Sequence, residues 1–322
     1  QKLTFDKKFK IEELKNLSFN YIDRENQLNS IKLFYKNDIY FLKGQNFNAN
    51  HLIENLLNNK NEDGSIFVKK KFKIDVEIDA VYLDKVHRLS KLKGNLDFDN
   101  KELKNSNLSA RFSENEKLKF SVNSNKDEKI TILTLDKAEP IIKRYKFIKG
   151  FEEGVLDFYS SKKENISKST LKIYDFKLKE LPVLTRILTL ASLQGIADIL
   201  SGEGIRFDEF EMNFQTKNNL ITIDEIYSIG PAISILMDGY VEKNKLVSLR
   251  GTLVPATTIN KVIGSIPVLG KILVGKKTGE GVFGVSFKIK GPPKNLETTV
   301  NPIKTLTPRF ITRTLEKLKN IN

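Results

Sequence analysis

The sequence predicts a mainly β protein: an elongated, curved antiparallel sheet of the repeating β-groove type, with a few short helices and an apolar helical plug near the C-terminal end. Three observations carry this. Between Phe72 and Tyr82, residues Phe72, Ile74, Val76, Ile78, Ala80 and Tyr82 point one way, while Lys73, Asp75, Glu77 and Asp79 point the other. That is the period of a strand with one greasy and one wet face. The theme returns at Leu92 to Phe98, Asn107 to Phe112, Leu118 to Val122 and Ile130 to Leu135, with polar turns such as 99–101 and 123–127 between them, as in a meander. Finally, the longest apolar run, Leu181 to Phe207, is flanked on both sides by alternating segments.

That run is long enough to suit a membrane-spanning helix, but Arg186 and Asp198 lie inside it, and charge at bilayer depth is costly. Pro182 and Gly195 divide it into two short helices, and its apolar positions go almost all the way round, the mark of a helix buried on most sides. The reading is a plug or cap held by sheet, with contact at a membrane surface and a true span as the alternatives.

Taken in order, the chain begins with short strands at Leu17 to Tyr21, Ser30 to Tyr35 and Ile39 to Lys43, then a helix at about 48–58 with Asn48 or Asn50 placed to cap it. After the meander a second helix is expected at about 137–148. Ala49 and Ala138 stand 89 residues apart in similar strand–helix–strand surroundings, which suggests a repeated sheet-plus-helix unit. Residues 1–170 read as these β-groove repeats. Residues 171–322 form a second region with apolar helices at about 181–200 and 257–274, the latter broken by Gly264, Pro267 and Gly270, and a final basic helix at about 308–319.

With 54 Lys and Arg against 40 Asp and Glu, the net charge of +14 is spread along nearly every segment, and no nucleic-acid signature accompanies it. The densest basic run, Lys69 to Lys71 with Lys73, starts a strand and reads as solvated. Cysteine is absent, so disulfides and thiolate chemistry are excluded. The chain opens Gln1-Lys2-Leu3, as a piece of a longer or processed protein would, and any targeting segment is expected upstream.

Catalytic signals are weak. His51 and His87 lie in separate segments without metal-ligand spacing, and the carboxylates fall mostly on wet strand faces. Gly279-Glu-Gly281-Val-Phe-Gly284 spells a dinucleotide fingerprint, but a strand follows it where the fingerprint needs a helix. No enzyme activity, cofactor or metal is expected.

The sequence offers more apolar strand surface than its few helices can cover. Soluble monomers rarely leave apolar patches beyond a few hundred Å² without a partner. A long open groove therefore implies an apolar ligand such as acyl chains. The groove candidates are Phe72, Ile74, Val76, Ile78, Leu96 and Phe98. Candidates for a cap or membrane seat are Leu184, Ile187, Leu188, Leu193, Ile196, Ile263, Ile266 and Leu269.

From Leu171 onward a series of motifs occurs in order: Leu181-Pro-Val-Leu184, Ala191-Ser-Leu, Leu200-Ser-Gly-Glu-Gly-Ile-Arg-Phe207, Gly230-Pro231, Gly251-Thr-Leu-Val-Pro255, Ile266-Pro-Val-Leu-Gly270, Gly279-Glu-Gly281, Gly291-Pro292, Val300-Asn-Pro302 and Leu306-Thr-Pro308. On these residues the chain resembles the C-terminal region of the AsmA-like proteins, most similar to the YhdP branch. It departs from the family at Arg309, where a glycine usually follows the proline. The resemblance implies a Gram-negative envelope protein, anchored in the inner membrane with its bulk in the periplasm. It implies a bridge-type carrier along whose apolar groove phospholipid moves between inner and outer membranes, with membrane contact at one end. The alternative is a structural or assembly protein of the envelope whose apolar faces pack on protein partners. No nucleic-acid partner is expected.

Overall fold

The structure, a computed structural model, describes residues 2–5, 11–57, 71–100, 102–144, 150–179, 181–191, 197–198, 202–255, 284–293 and 295–303. The described chain is mainly β, with strands that are mostly antiparallel and only short helices. It divides into two compact units.

The first unit comprises residues 1–145 and 154–165. Its strands are β1 (Lys2–Phe5), β2 (Ile11–Ile22), β3 (Leu28–Lys36), β4 (Ile39–Asn48), β5 (Lys71–Tyr82), β6 (Arg88–Asp99), β7 (Glu102–Arg111), β8 (Lys117–Ser124), β9 (Lys129–Leu135) and, from Gly154 onward, β10 (Phe151–Lys163). Each pairs with the next in sequence. Turn chemistry sets the hairpins. Asp23 Oδ1 accepts from the backbone N–H groups of Glu25 and Gln27 at 2.9 and 3.0 Å, closing the β2–β3 turn. Asn37 and Asp38 both have positive φ, 50° and 62°, as a two-residue hairpin loop requires between β3 and β4.

One connection departs from the expected meander. β4 and β5 are parallel, and α1 (Asn50–Leu57) lies in the connection between them, since parallel neighbours need a crossover and not a hairpin. The second helix is shorter than expected. α2 (Glu139–Ile142) is a single turn begun by Pro140, and 145–149 lie outside the described residues. The equivalence of Ala49 and Ala138 is structural: both are buried, both immediately precede a helix, and both donate their backbone N–H to a strand, at Tyr82 O (2.8 Å) and Gly154 O (2.7 Å).

The second unit comprises residues 146–153 and 166–322. Its strands β11 (Ile166–Leu178), β12 (Ile205–Lys217), β13 (Leu220–Ile229), β14 (Ile233–Glu242), β15 (Leu246–Pro255), β16 (Gly284–Gly291) and β17 (Glu297–Ile303) pair antiparallel in order. α3 (Pro182–Leu190) packs against β17. The run read as two helices over 181–200 is helical to Leu190, turns at Ala191 and is helical again at 197–198. Residues 192–196 and 199–201, and both expected helices at 257–274 and 308–319, lie outside the described residues.

Candidate functional site

In the first unit, strand register gathers the apolar residues onto one face. Phe72 lies opposite Phe98, Ile74 opposite Leu96, and Ile78 opposite Leu92. On the other side Tyr40 meets Ile74 and Leu42 meets Val76. The same face continues through Leu108↔Phe120, Phe120↔Leu133 and Leu133↔Phe158, so it runs from β3 to β10 without a change of side. Tyr35, Tyr40, Phe72 and Phe98 form an aromatic row across β3 to β6, with successive ring centroids 4.8, 6.3 and 4.8 Å apart. On β4 to β6 the opposite face is charged: Lys43, Glu77 and Lys93 form a cross-strand ladder at 2.8 and 3.0 Å, while on β9 and β10 it exposes Ile132 and Tyr159. Hydrogen bonds from the two lysines hold the exposed Glu77 carboxyl down at about 2.

All six groove candidates therefore share this face, but not one degree of exposure. Ile74, Val76 and Ile78 are buried, and Phe72, Leu96 and Phe98 are half-buried. Also half-buried are Leu108, Leu118, Phe120, Leu133 and Phe158, while Phe19 and Tyr21 on β2 are 40% and 47% exposed. What a ligand could touch is this half-buried and exposed set, not the middle of β5.

Gly94 lies within the face, opposite Val76 and Leu108. Its φ is +144°, and a Cβ there would stand 1.8 Å from Asn107 O. Only glycine lets the strands approach this closely and bend, next to the register shift between Ser90 and Lys93.

A polar cluster closes one end of this unit. Asp23 Oδ2 accepts from Asn29 and Asn48 at 3.0 and 2.7 Å, and Glu25 accepts from Asn48 and Asn50 at 2.8 and 2.7 Å. Arg144 donates to Asn50 Oδ1 at 2.8 Å and to Leu83 O. Burial pushes the Asp23 carboxyl up, but its hydrogen bonds outweigh that and hold it below its ordinary range. The Asn48 hydrogen bond leads in lowering Glu25. His87 is held by Asp84 at 2.8 Å, with Glu139 3.8 Å away; His51 is exposed. His87 thus links the turn at Asp84 to the start of α2, and His51 reaches only Glu54 of its own helix, at 3.9 Å. No group of three His, Cys, Asp or Glu among the described residues could hold a metal.

The second unit has its own apolar face. Met212, Ile226 and Met237 stand side by side across β12 to β14, and the row continues through Gly251 and Phe287 to Val300. The chain has two methionines, and both are here, half-buried. Methionine adapts its shape to irregular apolar neighbours. At one end this sheet is buried on both sides. Leu253 and Val254 are consecutive on β15, so they point to opposite faces, and each is 0% exposed. On β11 and β12, Phe176 and Phe207 stack at 5.3 Å, with Phe151 stacked on Phe176 at 5.4 Å; all three are buried. Of the cap candidates, Leu184, Ile187 and Leu188 are buried in α3; Leu193, Ile196, Ile263, Ile266 and Leu269 lie outside the described residues. Near the same end, burial and then repulsion by Asp175 push the Asp208 carboxyl up.

Sequence reasoning found the β5–β6 part of the first face and missed the rest. The alternation in Leu118 to Val122 and Ile130 to Leu135 was visible, but which side each strand presents depends on register. The second unit's face was missed for the same reason: only pairing aligns Met212 with Ile226 and Ile226 with Met237.

No helix among the described residues is long and apolar enough to cross a membrane. No protein-family model, no curated protein and no solved structure matches the chain.

Proposed function

We propose that this chain is a non-catalytic lipid-binding segment of a bridge-like carrier that moves phospholipid between the inner and outer membranes of a Gram-negative envelope. In this reading it is the periplasmic part of a protein anchored in the inner membrane. The supporting observation is the first unit's apolar face, continuous across eight strands, buried on β5 and half-buried on its flanks, with a charged ladder behind β4 to β6. Acyl chains suit such a surface, since each buried CH₂ contributes about 0.8 kcal/mol and no fixed polar partner stops the chain from sliding. The motif resemblance in the second unit adds the membrane setting.

The test is mass spectrometry of lipid carried by the purified chain. Phospholipid is expected on the wild type. The double variant Leu133→Gln/Phe158→Gln, at half-buried positions, is expected to lose at least half of it at a stability loss of about 2 kcal/mol. A lipid-free wild type, or photo-crosslinks from position 158 that reach only protein, would overturn the reading in favour of an envelope assembly role.

A further inference from the structure

The apolar face of the first unit does not end in neutral turns. Along β9 and β10 the facing pairs run Leu135↔Leu156, Leu133↔Phe158, Thr131↔Ser160 and Lys129↔Lys162. Side chains two apart on a strand share a face, so the order on this one face is apolar, apolar, hydroxyl, ammonium. On the neighbouring strand Ser124 lies opposite Lys129. Lys104 of β7 is near enough for its ammonium to repel that of Lys129. Lys104 has an acidic partner, Glu102, at 2.8 Å. Lys129 and Lys162 form no ion pair among the described residues, although they oppose one another directly. Glu102 attracts Lys129 as well, and Asp99, itself paired with Lys71 at 3.3 Å, attracts Lys104, so three lysines against these two carboxylates leave one positive charge in excess. Lys129 is half-buried, and burial, opposed by attraction to Glu102 and helped by repulsion from Lys162 and Lys104, holds its ammonium below the usual lysine range. The nearby Glu128 gives no relief: it lies one residue off, on the charged face, and takes Lys163 at 3.8 Å.

We infer that Lys104, Lys129 and Lys162 seat the anionic phosphate headgroup of an acyl lipid whose chains lie on the apolar face of β7 to β10. This rests on the lipid-binding reading above and names the headgroup chemistry it would select. The sequence of groups matches an amphiphile laid along the strands. The spacing is compatible too: with a phosphate at Lys129, two residues or about 7 Å of strand bring the ester groups beside Thr131 and Ser160, and four residues or about 13 Å bring acyl methylenes onto Leu133 and Phe158. Phosphate oxygens accept from ammonium groups in charge-assisted hydrogen bonds, and occupation would relieve the repulsion between Lys129 and Lys162.

The experiment incubates the full chain with vesicles holding equal amounts of dioleoyl phosphatidylglycerol and dioleoyl phosphatidylcholine, re-isolates the protein and quantifies both lipids on it. The wild type is expected to carry at least about fivefold more of the anionic lipid. The variant K129Q/K162Q is expected to carry both equally, with total lipid per chain within twofold of the wild type. K163Q, on the opposite face, is expected to keep the wild-type ratio. Equal uptake by the wild type, a ratio that survives K129Q/K162Q, or a ratio that K163Q also abolishes would overturn the headgroup seat while leaving lipid binding intact. Absence of either lipid from the wild type would instead remove the lipid-binding reading on which the seat depends.

Discussion

The strands of the two units differ in how many of their faces are hidden. In the first unit, β5 alternates as its sequence alternates: Ile74, Val76 and Ile78 are buried, and Lys73 and Asp79 on either side of them are exposed. In the second, runs of consecutive residues disappear together, as with Ile226, Tyr227 and Ser228 on β13 or Ile233, Ser234, Ile235 and Leu236 on β14. A strand buried residue after residue has cover on both sides; a strand buried every second residue has its cover on one. The first unit is therefore organised as a surface with a back and a front, and the second as a sheet whose end is enclosed. A carrier needs the former along its length and can use the latter as a terminus.

The largest expected effects test that contrast directly. Ile78 is 2% exposed, so Ile78→Asp places an unpaired charge in the centre of the first sheet and is expected to destabilise it by more than about 4 kcal/mol, enough to lose the fold. Leu188→Ala in α3, at a site 0% exposed, is expected to cost about 2–5 kcal/mol. Denaturant unfolding measures both. If Ile78→Asp were tolerated, the face at β5 would be solvated rather than covered, and the contrast between the sheets would weaken.

A finer comparison uses the glycines. Gly94 in the first sheet and Gly239 in the second have φ of +144° and +145°, lie on the apolar faces, and would place a Cβ 1.8 Å from Asn107 O and 2.1 Å from Ser248 O. Gly94→Val and Gly239→Val are each expected to lower stability by at least about 2 kcal/mol through strain. A loss in only one would mean that the bend matters to one sheet and not the other.

The smallest effect belongs to the charged face. Glu77→Gln is expected to leave the melting temperature at pH 7 unchanged within error, because the Lys43–Glu77–Lys93 ladder is solvated on both sides. The carboxyl is lowered from 4.5 to about 2 in the folded chain. Whatever stabilisation it gives is complete above pH 4.5 and lost as pH falls through about 2. The variant should therefore also match the wild type on acidification, as melting curves at pH 2 and pH 7 would show; a difference that opens at pH 2 would contradict this reading.

Much of the fold was legible in the sequence. Alternation from Phe72 to Ile78 fixed both the strand and its two faces, because the side-chain period of a strand is two whatever it pairs with. The polar turn at 99–101 marked a hairpin, because few residues adopt positive φ cheaply and Asn100 does so at 50°. The match between Ala49 and Ala138 exposed a repeated way of leaving a strand for a helix. What only the tertiary structure decided is what the strands share. Register brought Lys129 opposite Lys162, turned β4 and β5 parallel, and joined Met212, Ile226 and Met237 into one row. Covering also lay beyond the sequence: Ile78 and Phe98 have the same period and the same face, yet one is hidden and the other half open. Periodicity is a property of neighbours along the chain, whereas register and cover are set by residues dozens of positions away.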